Sequence, residues 1–130
     1  MKSETAAKYL KAILQLKEQN GEVRSAMLAT EMNVKRPTVC VALQQLQNDG
    51  YIQFEADHEI CLTESGEEIA KKVTERYRYF CELFLRLGIT PQTAEKDACI
   101  LEYSLSDETF SAFQEKIHAS ASKLPDGEEV

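Results

Sequence analysis

Lys35 and Arg36, followed by Pro37 and Thr38, have the most legible chemistry in this 130-residue chain. Two cations at the head of a helical pattern can bond phosphate oxygens or the acceptor edge of guanine. Further along the same pattern Gln44 and Gln45 offer amide ends to a base edge, and Ser25 offers a hydroxyl to a phosphate. Thr38, Val41 and Gln45 share one face by helical spacing, with Cys40 and Gln44 beside it. A second group lies far along the chain: Cys99, Glu102 and Tyr103 stand at i, i+3 and i+4, so a thiol, a carboxylate and a phenol line one helical face. Lys8 and Lys11 also share a face, and Arg78 and Glu82 stand four apart. No nucleophile is spaced with a base, no glycine-rich loop is built for phosphate, and the two histidines, His58 and His118, stand alone. An enzyme is therefore not expected.

The cations at 35 and 36 need a helix to carry them, and the stretch from Arg24 to Leu62 supplies one. Ala26, Leu28, Ala29 and Met32 stripe a first helix, and Asn33-Val34 makes a turn. A second helix opens at Lys35-Arg36-Pro37, where a proline's missing N–H costs little. Val39, Ala42, Leu43 and Leu46 recur at threes and fours, which buries one face, and Asp49-Gly50 ends it. Tyr51, Ile52 and Phe54, then Ile60 and Leu62, read as two short strands around a charged tip from Glu55 to Glu59. Helix, turn, helix and hairpin in this order predict a winged helix-turn-helix, which lays its second helix in a DNA major groove. The tip is acidic, with Glu55, Asp57 and Glu59 around His58, where a wing that touches DNA usually carries Lys or Arg.

Before that motif, residues 4–19 read as a helix with Leu10, Ile13, Leu14 and Leu16 on a wide apolar face. After it, Thr63 caps a long helix from about 64 to 87, along which Ile69, Val73, Tyr77, Phe80, Phe84 and Leu87 step by three and four. Gly88 ends it, Thr90-Pro91 starts another running to about Leu105, and Ser106-Asp107-Glu108 starts a last one striped by Phe110, Phe113 and Ile117. The fold class expected is mainly α: a winged helix-turn-helix domain over 1–70, a small helical dimerisation domain over 71–118, and a disordered acidic tail over 119–130. The aromatics of the second lobe, expected to be exposed, would bury against a second copy in a homodimer.

Composition narrows the class. The chain is 43% hydrophobic and 28% charged, as a soluble protein is, with no apolar run long enough for a membrane and no signal-peptide pattern. Cys40, Cys61, Cys81 and Cys99 form no CxxC pair, which suits reduced thiols in the cytoplasm. Net charge is −7, unusual for a DNA binder. The first 50 residues hold seven Lys/Arg against five Asp/Glu, and the remaining 80 hold eight against seventeen. That asymmetry suits a DNA-facing N-terminal lobe.

SETAAKYLKAILQL, LATEMNVKRPTVCVALQQLQNDGYI, LTESGEEIA, ELFLRLGI and KDACILEYSLSDE, in that order, resemble the diphtheria-toxin-repressor and manganese-transport-regulator family of metal-dependent repressors. The resemblance covers nearly residues 3–110 and implies the short, two-domain type without the SH3-like third domain. It implies a palindromic double-stranded DNA operator and a homodimer, with Mn2+ or Fe2+ ordering the first helix. Pro37 matches the family pattern.

The ligand positions that the resemblance implies are mostly replaced. Those on the first helix fall on Lys8 and Lys11, the long-helix histidine falls on Arg78, and the last triplet falls on Cys99, Glu102 and Tyr103. Cys99 and Glu102 remain possible ligands, with Glu82 as an acid near a second site and Glu95 where that site can have a histidine. Lysine and arginine carry no lone pair near neutral pH. No cofactor is therefore expected. Internal pairs could replace the ion, with Lys8, Lys11 and Arg78 against Glu82, Glu95 and Glu102. The alternatives are a dimerising protein-interaction module with little DNA affinity, or a redox sensor in which nearby cations lower the pKa of Cys99.

Overall fold

A computed structural model of the chain describes residue 1 and residues 3–117. The expected tail and His118 lie outside the described residues. The chain divides into two compact units, Met1–Val73 and Thr74–Val130. The division falls within one long helix.

The first unit holds α1 (Ser3–Asn20), α2 (Ser25–Met32), α3 (Arg36–Asn48), β1 (Ile52–Phe54), β2 (Ile60–Leu62) and the first turns of α4 (Glu64–Arg86). This is the winged helix-turn-helix that the sequence predicts. Its core is one cluster in which Leu10 and Ile13 of α1, Leu28 of α2, Val39 and Leu46 of α3, and Ile52 and Ile60 of the hairpin are all 2% exposed or less. Each such side chain gains about 1.5–3 kcal/mol on burial, which sets the helices' facing. Asn33 takes the left-handed conformation (φ 55°, ψ 48°) between α2 and α3, and the Val34 N–H donates to the Ala29 carbonyl. Asparagine tolerates that region, so a tight helix–helix turn forms without glycine. Ala26 is exposed, unlike the expected stripe, and Met27 packs on the core in its place.

β1 and β2 pair antiparallel, with Ile52 opposite Leu62 and Phe54 opposite Ile60. The Ile60 N–H donates to the Val23 carbonyl, which ties the hairpin to the segment before α2. At the root of α4 the Thr63 hydroxyl accepts from the Gly66 N–H (3.2 Å) and donates to the Gly50 carbonyl (2.7 Å). One side chain thus caps α4 and fastens it to the end of α3.

The second unit holds the rest of α4, α5 (Pro91–Ser104), α6 (Asp107–Ala112) and a π-helical turn, Phe113–Ile117. Over its 23 residues α4 runs about 35 Å. Phe80, Ala98 and Phe110 form the core, with Tyr77, Tyr79, Phe84 and Phe113 packed against them. Tyr79 meets Phe110 edge-on (5.4 Å between centroids), as Phe80 meets Phe113. The aromatics expected to need a second copy therefore bury one another. Exposed instead are the aliphatic Leu85, Leu87, Ile100 and Ile117, so Leu87 and Ile117 depart from the expected buried stripes. No helix among the described residues is long and apolar enough to cross a membrane.

Candidate nucleic-acid interface

α3 buries Val39, Ala42, Leu43 and Leu46 and leaves its other long side chains to solvent. Lys35 is the N-cap residue, in extended conformation, and Pro37 stands in the first turn. Lys35, Arg36, Pro37, Thr38, Gln44 and Gln45 are all exposed, so the structure brings these sequence candidates onto one accessible helix. The Arg36 guanidinium donates to the Ser25 hydroxyl at 3.3 Å, which joins the head of α2 to the head of α3. The Gln44 side-chain amide donates to the Asn48 side-chain oxygen Oδ1 at 3.2 Å. A shallow depression between the helices is lined by Ala29, Asn33, Lys35 and Arg36 among others. Lys35 and Arg36 thus stand together in solvent at the head of α3, two cations with the charge to meet an anion.

The hairpin tip differs. Glu55 and Asp57 are exposed, and the tip doubles back through Asp57 and His58, both at positive φ. The Arg24 guanidinium donates to the Asp57 carbonyl, and Lys17 pairs with Glu59 at 3.3 Å. Two of the N-terminal unit's cations are thereby spent on the tip. Next to it, Cys61 has its thiol pushed up by burial first, then by Glu59 and Glu55.

In the second unit, the inner seam of α5 is Ala94, Ala98 and Glu102. Glu102 is 1% exposed, a carboxylate where spacing would favour an apolar side chain. Cys99 and Tyr103 lie partly buried beside it. Tyr77 of α4 lies close to Cys99. Burial raises its phenol to about 12, with added contributions from Cys81, Cys99 and Glu95 and a hydrogen bond with Cys81. Arg78, the next residue, is exposed, so α4 turns Tyr77 and not Arg78 toward Cys99. Glu82 is paired with Arg86 at 3.5 Å rather than with Arg78, and Lys8 is paired with Glu4 at 3.2 Å. Among the described residues no three or more His, Cys, Asp or Glu side chains are grouped to hold a metal ion.

One buried charge went unmarked in the sequence. Arg76 is 4% exposed, although it lies three residues after Val73 and four before Phe80, on the stripe itself. That spacing was the available signal.

Residues 1–59 match the family described as "Iron dependent repressor, N-terminal DNA binding domain", and residues 63–128 match its "metal binding and dimerisation domain". The transcriptional regulator MntR of Salmonella typhimurium is 34% identical over 105 residues, 81% of this chain and 67% of that protein. An HTH-type transcriptional regulator of Methanocaldococcus jannaschii is 37% identical over 109 residues, 82% of this chain and 86% of that protein. Among solved structures, a manganese-dependent transcriptional repressor in complex with manganese superposes with a TM-score of 0.75 at 25% identity, over 87% of this chain and 52% of that one. This chain spans about half the length of such solved regulators, 53% in the case of the manganese regulator SloR.

Proposed function

The chain belongs to the iron-dependent repressor family, and from that premise we propose that it is a DNA-binding transcriptional regulator that works without the family's divalent ion at the family's position. DNA binding rests chiefly on α3: a helix whose solvent face carries Lys35, Arg36, Thr38, Gln44 and Gln45, braced at its head by Ser25. Such a helix enters a major groove with its N-terminal residues toward the bases. A homodimer on a palindromic operator follows from the dimerisation domain named for residues 63–128, and the exposed Leu85, Leu87 and Ile100 give the second unit apolar surface to cover.

The donor chemistry does not fit Mn2+ or Fe2+, which prefer carboxylate and imidazole. The first-helix positions carry Lys8 and Lys11, ammonium groups that repel a cation. Tyr77, the α4 side chain turned toward Cys99, holds its proton up to about pH 12. Cys99 and Glu102 alone are a poor divalent site. Isothermal titration of the whole chain with Mn2+ and, anaerobically, Fe2+ is expected to show no micromolar binding, and a chelator should leave duplex binding unchanged. Micromolar Mn2+ binding abolished by Glu102→Ala overturns metal independence.

One observation favours a second reading, a dimerising module with little DNA affinity: the exposed acidic tip at Glu55 and Asp57. Gel shifts on genomic fragments over a salt series separate the two. Binding that weakens steeply with salt supports the regulator.

A further inference from the structure

Val41 is the most exposed large apolar side chain among the described residues, at 61%. Its place on α3 is opposite the buried Val39, Ala42, Leu43 and Leu46. By helical spacing Pro37 and Thr38 lie one turn before it, and Gln44 and Gln45 one turn after. All four neighbours are exposed, and all but the proline end in hydrogen-bonding groups. A valine in that setting gains nothing from the fold. It is a poorer helix former than glutamine or lysine, because its branched Cβ is restricted against the preceding turn. Its methyl groups also stand in water, without the gain that an apolar partner would bring.

In a major groove the apolar group on offer is the C5 methyl of thymine. Asparagine and glutamine amides suit the other half of the same base pair, since adenine presents an N6 donor beside an N7 acceptor. Here the Gln44 side-chain amide, one turn from Val41, is engaged by the Asn48 Oδ1, which leaves the Gln44 side-chain oxygen to accept and the Asn48 side-chain amide, a turn further on, to donate. An apolar side chain centred among such amides is matched to T·A pairs rather than to G·C pairs. Lys35 and Arg36, at the head of the helix, have the chemistry for phosphate or guanine, so the two ends of α3 differ in what they select.

We infer that Val41 is a specificity-determining residue that packs on a thymine methyl group in each operator half-site. This rests on the DNA-binding reading above and adds to it the chemical group that is read. The test starts by selecting bound duplexes from a random 24-bp library with the wild-type chain. Each thymine of the selected site is then replaced singly by deoxyuridine, which lacks only the C5 methyl, and binding is followed by fluorescence anisotropy at fixed salt. One thymine per half-site is expected to weaken binding about fourfold when demethylated, the worth of one buried carbon. Val41→Ala should bind the thymine duplex more weakly and make no distinction between thymine and deoxyuridine at that position. Val41→Gln, which puts a better helix former at the exposed position and so should not weaken the fold, should lose the same distinction. Wild-type binding indifferent to every replacement overturns the inference and leaves the regulator reading standing, as does a Val41→Ala protein that still prefers thymine. No saturable, salt-dependent binding to any duplex overturns both.

Discussion

The buried Arg76 guanidinium forms an ion pair with the carboxylate of Asp107, the first residue of α6. The Arg76 side chain is 5% exposed and that of Asp107 is 74% exposed, so one end of the pair is dry and the other wet. The same guanidinium donates to the Leu105 carbonyl at 2.6 Å and lies 4.9 Å from the centre of the Phe110 ring. One side chain of α4 therefore fastens the linker and the start of α6. Arg76→Ala should cost about 2–4 kcal/mol, because charged hydrogen bonds and ring contact go together. Arg76→Lys should recover less than half, since an ammonium lacks the planar fork. Asp107→Asn should cost about 1 kcal/mol, because water reaches that end. Urea unfolding followed by circular dichroism checks all three.

Gly66 sits in the first turn of α4, and a Cβ there would fall 2.0 Å from the Tyr51 carbonyl oxygen. Helix propensity alone says that Gly66→Ala stabilises by about 1 kcal/mol. A clash with backbone has no flexible end to give way, so a net loss of about 1–3 kcal/mol is expected instead. Because Thr63 ties the same turn to Gly50, the damage should spread to the root of the hairpin. A Gly66→Ala protein with a higher unfolding midpoint than wild type would contradict this packing.

Tyr77 predicts a response to alkaline pH. Burial, followed by Cys81, Cys99 and Glu95, raises its phenol from 10.0 to about 12. The unfolded chain releases that proton near pH 10, whereas the folded chain holds it until about 12. The stability due to the neutral phenol is thus fully present below pH 10 and is lost as pH rises to about 12. Burial also raises Tyr9 and Tyr79, so Tyr77→Phe should make the fall in stability over this range shallower without abolishing it. A fall equally steep in Tyr77→Phe would show that the phenol is not buried as described.

The head of α3 predicts a salt dependence. If Lys35 and Arg36 each neutralise one phosphate, Lys35→Ala and Arg36→Ala should each reduce the slope of log affinity against log salt by about one. Ser25→Ala should weaken duplex binding less than Arg36→Ala, because the Ser25 hydroxyl braces the guanidinium at 3.3 Å while the cation remains. Slopes unchanged in both cation variants would move the phosphate contacts off this helix.

Periodicity and punctuation carried much of the architecture. Val39, Ala42, Leu43 and Leu46 buried one face of α3, Gly88 took a positive φ just past α4, and the Ser106 hydroxyl accepted the Thr109 N–H at the head of α6. These are local events, decided within a turn or two of helix, and the neighbouring residues suffice to encode them. The polar candidates on α3 were legible for the same reason: once four residues face the core, the rest must face solvent.

What the chain alone determined was its succession of elements, its membership of a repressor family and the presence of lysines at positions 8 and 11. Only the tertiary structure decided that Arg76 is buried, that Tyr77 and not Arg78 meets Cys99, and that the aromatics of the second unit satisfy one another. A helical stripe specifies a face to within about one residue, or 100° of arc. Which side chain at its edge turns inward depends on the shape of what packs against it, and that partner here comes from a later helix or linker: Cys99 for Tyr77, Leu105 and Asp107 for Arg76.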